Sequence, residues 1–195
     1  MPSRRNSEAT ILDAARACVL AVGVRRTTLT DVARRAGVSR MTVYRRFPDV
    51  DALVRDLMTR EFAAVLDDAG REALLDAART TAREQAVAQT VAAARAFSAN
   101  ALFRRVVDVD PELLLPYLVD RLGTTQRMAV GLFTERIARG QADGSIRPAP
   151  ARTLAHAMLL AVQSFVLSMG PVSAAVPADA LYDELAHLLD AYLAP

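Results

Sequence analysis

The chain has a single cysteine, Cys18, and contains neither tryptophan nor lysine. One cysteine excludes an intrachain disulfide and any multi-cysteine metal site. All 24 basic residues are arginine, which reads as the mark of GC-rich coding DNA and carries no functional message. Aromatic residues make up 5% of the chain, too few to suggest a stacking cage for a flat ligand. Arg4 and Arg5 stand near the N-terminus, but no uninterrupted apolar segment follows, so no secretion signal is expected. The apolar run from Leu154 to Met169 is interrupted by His156, Gln163, Ser164 and Ser168. It is also shorter than the roughly 20 residues of a membrane span, and is expected to be a buried helix of a cytoplasmic protein with no membrane partner. No Ser–His–Asp set, phosphate-cradling loop or zinc-ligand spacing stands out. Neither enzymatic activity nor a cofactor or metal is therefore expected. His156 and His187 lack a second ligand at helical spacing, and Asp67-Asp68 and Asp108/Asp110 read as solvated helix ends.

What is present points to helices. Of 195 residues, 52% are hydrophobic, much of that Ala and Leu, and no run of alternating β-branched residues appears. An all-α fold is expected. Residues 1–60 hold 12 Arg against 6 acidic residues, while the remainder holds 12 Arg against 16. A basic head on a mildly acidic body suits a nucleic-acid contact confined to one end. The domain boundary is placed after residue 49, giving an N-terminal DNA-binding domain (1–49) and a helical effector-binding and dimerisation domain (50–195).

The expected helices follow caps and breakers. The first runs from about Ser7, as N-cap, to Val22, with Ile11, Ala15, Cys18 and Val19 inward and Gly23 as the stop. A second begins after Thr28, with Asp31 completing a capping-box-like pair, and ends at Ala36-Gly37. A third follows Ser39 and reaches Phe47; Asp49 caps a fourth from about Val50. Further helices are expected over about Glu72–Ala99, Ala101–Val107, Arg121–Arg139, Ala151–Met169 and Ala178–Leu193. Asp143-Gly144 reads as a turn, and Gly170-Pro171 with Pro177 as the divider of the last two helices.

The stretch from Thr27 to Phe47 carries the chemistry. Two short helices are joined by Ala36-Gly37-Val38-Ser39, where Gly37 supplies a positive φ and Val38 plugs the angle between them. This is a helix-turn-helix, whose second helix enters the DNA major groove. At about 100° per residue, Val43 and Phe47 share its inner face. Met41 and Arg45 point outward with Thr42 beside them, and Arg40, Tyr44 and Arg46 flank them. Arginine can pair with guanine O6 and N7, threonine can donate or accept, and methionine can touch a thymine methyl. Tyr44 and the helix N-terminus suit phosphate.

From about Ile11 to Leu53 the sequence resembles the DNA-binding domain of TetR-family repressors. The resemblance rests on Ala14-Ala15, Gly23, Thr28, Asp31-Val32-Ala33, Ala36-Gly37-Val38-Ser39, Thr42-Val43-Tyr44, Phe47 and Leu53. It implies that Thr28 and Tyr44 hold phosphates, that Thr30, Arg40, Met41 and Thr42 face bases, and that Arg45 meets bases or phosphate. It further implies a helical sensor domain whose last two helices form a four-helix bundle with a second copy. The expected function is that of a homodimeric regulator on a near-palindromic double-stranded operator, released by a small apolar or amphiphilic effector. Val50 departs from the lysine common at that position, which would remove a phosphate contact. The competing reading is a helical small-molecule carrier or enzyme whose basic head reads no sequence.

Beyond residue 60 the signals are weaker. Ala157, Ala161, Ser164 and Ser168 lie in one arc of their helix, and Leu181, Leu185, Leu188 and Tyr192 form a stripe on the next. Small residues allow close helix approach, so these are the expected dimer contacts, with packing inside one chain as the alternative. Phe97, Phe103, Tyr117, Met128, Phe133, Met158 and Gln163 are the candidate effector-binding residues. Cys18 reads as a small core residue in preference to a redox sensor.

Overall fold

The computed structural model describes the backbone of residues 4–74 and 80–195 and the side chains of 8–68 and 80–195. Among the described residues ten α-helices follow one another: α1 Arg4–Val22, α2 Leu29–Ala36, α3 Arg40–Arg46, α4 Val50–Leu74, α5 Ala82–Ala99, α6 Ala101–Val109, α7 Leu115–Val119, α8 Thr124–Ala142, α9 Ala151–Val172 and α10 Ala178–Leu193. A 3₁₀ turn at Pro111–Leu113 separates α6 from α7. The described residues contain no strand.

The chain forms two compact units. The first comprises residues 1–62 and 100–121, the second 63–99 and 122–195. The first therefore extends past the boundary expected after residue 49, for a reason of packing. Leu53 and Leu57 of α4, with Leu102 and Val106 of α6, are buried in the same core as Ile11, Ala15, Val19, Val32, Val43 and Phe47. Helices this short cannot close a core unaided, and α4 and α6 supply the missing apolar surface. Cys18 belongs to this core, and burial pushes its thiol pKa up, as suits a packing residue.

In the second unit, α5, α8, α9 and α10 bury Ala94, Phe133, Ile137, Leu154, Met158, Leu185 and Leu189 together. Several boundaries differ from those expected. Ser7 lies inside α1, so it is not the N-cap. The single helix expected over Glu72–Ala99 is two: residues 72–74 end α4, 75–79 lie outside the described residues, and α5 opens at Ala82. Its start is fixed by a capping box. The Thr81 hydroxyl accepts from the Glu84 N–H at 3.2 Å, and a Glu84 carboxylate oxygen accepts from the Thr81 N–H at 3.0 Å.

Helix α8 begins at Thr124, not at Arg121, because the Gln126 side chain accepts from the Gly123 N–H at 2.7 Å. It passes Gly140 to Ala142. Gly140 answers a different need: a Cβ there would lie 2.4 Å from Ile146 Cδ1. Gly170-Pro171 does not break α9, which continues to Val172. Proline this close to the end costs one carbonyl partner in a last turn that is short of partners anyway. The full α9 has 22 residues and a mean hydropathy of 1.5 in its most apolar stretch, enough by length and composition to cross a membrane. The expectation of a buried helix holds for one face only: Leu154, Ala155, Met158 and Leu159 are buried, whereas Leu160 is 67% exposed.

Candidate nucleic-acid interface

The helix-turn-helix is built from local hydrogen bonds at each joint. The Thr28 hydroxyl accepts from the Asp31 N–H at 3.1 Å and donates to the Asp31 carboxylate at 2.6 Å, which starts α2. Gly37 stops α2 with a φ of +66°, and its N–H turns back onto the end of the helix. The Val38 N–H bonds the Ala33 carbonyl at 3.1 Å, and Val38 packs on the core. Ser39 then caps α3, its hydroxyl accepting from the Thr42 N–H at 3.1 Å. The α3 C-terminus closes with the Phe47 N–H on the Val43 carbonyl, and Asp49 accepts from the Ala52 N–H at 2.7 Å to open α4.

This frame sorts the α3 side chains. Val43 and Phe47 are buried. Met41 is 75% exposed and Tyr44 50%, and Arg40 and Arg45 are exposed beside them. Such exposure of methionine and tyrosine costs solvation free energy that a partner would recover. Neither Arg40 nor Arg45 forms an ion pair among the described residues, so both guanidinium groups are available to an anion or a base edge. Thr42 is half-buried, and its hydroxyl lies 2.9 Å from that of Ser39. Thr28 is exposed and Thr30 half-buried at the start of α2.

Arg46 is different. It reaches back to the Glu8 carboxylate of α1 at 2.6 Å and lies over the Phe47 ring. The hydrogen bond to Glu8, and then its charge, raise the Arg46 pKa further. Arg46 thus ties α3 to α1, a pairing across 38 positions that helix periodicity could not suggest. Val50 packs, half-buried, on the first unit's core.

The family model described as bacterial regulatory proteins, tetR family, matches residues 11–57. An uncharacterised HTH-type transcriptional regulator of Mycobacterium bovis is 40% identical over 190 residues, covering 97% of this chain and 96% of its own. One from Mycobacterium tuberculosis matches over the same shares. The chain belongs to the tetR family of bacterial regulatory proteins. It is a transcriptional regulator with a helix-turn-helix head. The transcriptional regulator FadR from Bacillus subtilis, solved in complex with stearoyl-CoA, superposes on this TetR-family chain with a TM-score of 0.69. The match spans 95% of this chain and 98% of that one at 15% identity, a likeness of fold.

The other candidate residues of this TetR-family chain are distributed over both units. Phe103 and Tyr117 fall in the first. Phe103 meets Phe62 edge-on with ring centroids 6.1 Å apart, and Tyr117 carries the Arg121 guanidinium over its ring. Phe97, Met128, Phe133, Met158 and Gln163 fall in the second. Phe133 and Met158 are buried in its main core, and Phe97 packs with Leu66, Ala93 and Leu132. Met128 is half-buried. Gln163 accepts from the Gln126 amide at 2.6 Å. A shallow depression of about 400 Å³ is lined by Gln141, Gly144, Ile146, Pro148, Ala149 and Pro195, and includes none of these.

The candidate dimer residues also divide. Leu185 is fully buried in its own chain and presents nothing outward. Ser164 and Ser168 are exposed, Ala157, Ala161 and Leu181 are half-buried, and Leu188 is 52% exposed. Leu160 and Tyr192, also exposed, extend this apolar surface. Leu160 follows Ala157 by three residues and precedes Ser164 by four, so helical spacing alone could have included it.

Proposed function

We propose that the chain works as a homodimeric repressor on a near-palindromic DNA operator, and that a small apolar or amphiphilic molecule bound by its helical body releases it. The observation that carries this reading is the outward side of α3, where Arg40 and Arg45, in no ion pair among the described residues, flank an exposed Met41. Arginine supplies both attraction to phosphate and bidentate base contacts, and an exposed methionine beside them can meet a thymine methyl. Thr28, Thr30, Thr42 and Tyr44 complete the interface, with Thr28 and Tyr44 on phosphates. Arg46 serves mainly to fix α3 through Glu8. Work on DNA places the protein in the cytoplasm.

Dimerisation is supported by the outward faces of α9 and α10. Leu160, Leu188 and Tyr192 lie exposed beside Ala157, Ser164 and Ser168, the surface a second copy would cover to complete a four-helix bundle. Two heads then meet successive major-groove faces, and operator symmetry mirrors protein symmetry. The effector reading draws on the fold shared with stearoyl-CoA-bound FadR and on the mainly apolar second unit. By linkage, an effector that weakens operator binding is itself bound more weakly by the operator complex.

Selection of bound duplexes from a random pool tests the proposal. The full chain should enrich a near-palindrome. Arg40→Ala and Arg45→Ala should each cost about 1–3 kcal/mol and relax preference at particular base pairs. Tyr44→Phe should weaken all duplexes alike. A pool that shows no enrichment, or a motif unchanged in both arginine variants, would refute α3 as the reading helix.

A further inference from the structure

The turn between α1 and α2 is held by a residue 86 positions away. Gly23 ends α1 with a φ of +83°, its N–H on the Val19 carbonyl at 2.8 Å. The next N–H, that of Val24, has no place in the helix ladder. It donates to Asp110 Oδ2 at 2.7 Å in a buried contact. Asp110 is 1% exposed and stands at the C-terminal end of α6. Its backbone is committed as well: its N–H bonds the Val106 carbonyl at 3.0 Å, and its carbonyl accepts from Leu113 at 3.1 Å.

The fit leaves no slack. A Cβ at position 23 would lie 2.9 Å from Asp110 Oδ2 and 3.0 Å from Val109 Cγ1. On the outer side, Arg25 Nε lies 3.9 Å from Asp110 Oδ1, and its guanidinium pairs with Glu112 at 2.5 Å. A buried carboxylate is a costly way to fill space, since an apolar side chain would avoid its desolvation. What an apolar side chain cannot do is receive the Val24 N–H, and a hydrogen bond has a direction. From Val24 the bonded path to DNA is short. The Thr27 N–H bonds the Val24 carbonyl at 3.0 Å, the Thr27 hydroxyl bonds the Gly23 carbonyl at 2.7 Å, and Thr28 caps α2.

We infer that Asp110 is a positioning residue for operator recognition. It clamps the α1–α2 turn to the end of α6 and so fixes where α2 and α3 stand within the first unit. This rests on the reading of α3 as the base-reading helix. Base contacts demand close placement, whereas phosphate attraction tolerates play. Loss of the clamp should therefore cost operator affinity and leave random-duplex affinity in place.

The test uses the full chain, the duplex that the wild-type chain selects, and a random duplex of equal length. Asp110→Ala should weaken operator binding by about tenfold or more while random-duplex binding stays within about twofold. The Val24 amide should exchange with solvent faster. Asp110→Asn keeps an acceptor in the same place and should lose only about threefold on operator. Operator and random duplex weakening together, in step with a lower melting temperature, would reduce Asp110 to a stabilising contact. Unchanged operator binding with a fast-exchanging Val24 amide would equally overturn the inference. If Asp110→Ala does not fold, Asp110→Asn decides the matter by the same comparison of the two duplexes. Failure of the wild-type chain to select any duplex is a separate outcome, and it removes the reading of α3 itself.

Discussion

The two units solve the problem of short helices differently. In the first, the joints of the helix-turn-helix carry their own devices: Thr28, Ser39 and Asp49 cap, Gly37 turns, and Asp110 reaches across to the α1–α2 turn. In the second, longer helices lean on one another through Ala, Leu and Met, and the outer faces of α9 and α10 are left apolar. A surface that must meet base edges to within fractions of an ångström needs fixed joints. On the proposed function, a body that takes up a ligand and a second copy needs apolar area as well as the capped starts of α5 and α8.

Substitutions can press this contrast, beginning with the largest expected effect. Phe47 is buried among α1, α2 and α4 residues. Phe47→Ala should destabilise the first unit by about 3–5 kcal/mol, read as a lower thermal midpoint. An unchanged midpoint would mean that the head does not depend on its own core. On the open face of α9, Ser164→Arg should do the opposite. It should leave the fold of the single chain intact and, at sub-micromolar concentration, convert sedimenting dimer to monomer. Operator affinity should then fall about a hundredfold or more. A variant that still sediments as a dimer would take Ser164 out of the interface.

Ser39→Ala removes the α3 cap and should cost about 1 kcal/mol of stability. Because Thr42 also loses the partner of its hydroxyl, operator binding should weaken more than the melting temperature implies. Equal losses would make Ser39 a cap and nothing else.

The smallest effect lies at the start of α5. Glu84 has a lowered pKa because it accepts the Thr81 and Thr80 backbone N–H groups. Asp143 is lowered by Ser145 and by the Ala82 N–H. For each, the folded value lies below the unfolded one of about 4. Their contribution is thus complete above that pH and lost as pH falls through the folded value. The protection factors of the amides near Ala82, taken relative to intrinsic exchange, should fall on acidification below about pH 4, and Glu84→Gln should flatten that dependence. A flat profile in the unmodified chain would contradict the assignment.

What could be read from the sequence follows the range of the interactions. Thr28, Gly37 and Asp49 were legible because a cap or a turn is settled within four residues. The Thr81–Glu84 box is equally local, yet the apolar periodicity on either side masks it, so the helix expected from Glu72 starts ten residues before α5 does at Ala82. For Arg46, periodicity gives a direction beside the reading face but not the Glu8 carboxylate it also meets. Spacing puts Leu185 and Leu188 on one side of α10, yet Leu185 is fully buried and Leu188 is 52% exposed, so periodicity alone does not place the edge of the core. Asp110 read as a solvated helix end, since nothing nearby in sequence announces Val24. Val50 packs on the first unit's core, so its replacement by lysine would trade apolar contact for charge.

One feature of the first unit bears on how such regulators could be recombined. Its core closes only with Leu53 and Leu57 from α4 and Leu102 and Val106 from α6. A chimera that transplants residues 1–49 onto another sensor would carry the reading helix but leave its floor behind. The graft would have to bring residues 1–62 together with 100–121, two pieces separated by 37 residues that belong to the other unit. Specificity in this protein is therefore not a detachable cassette. New pairings of operator and effector are reached more readily by changing side chains on α3 than by exchanging segments.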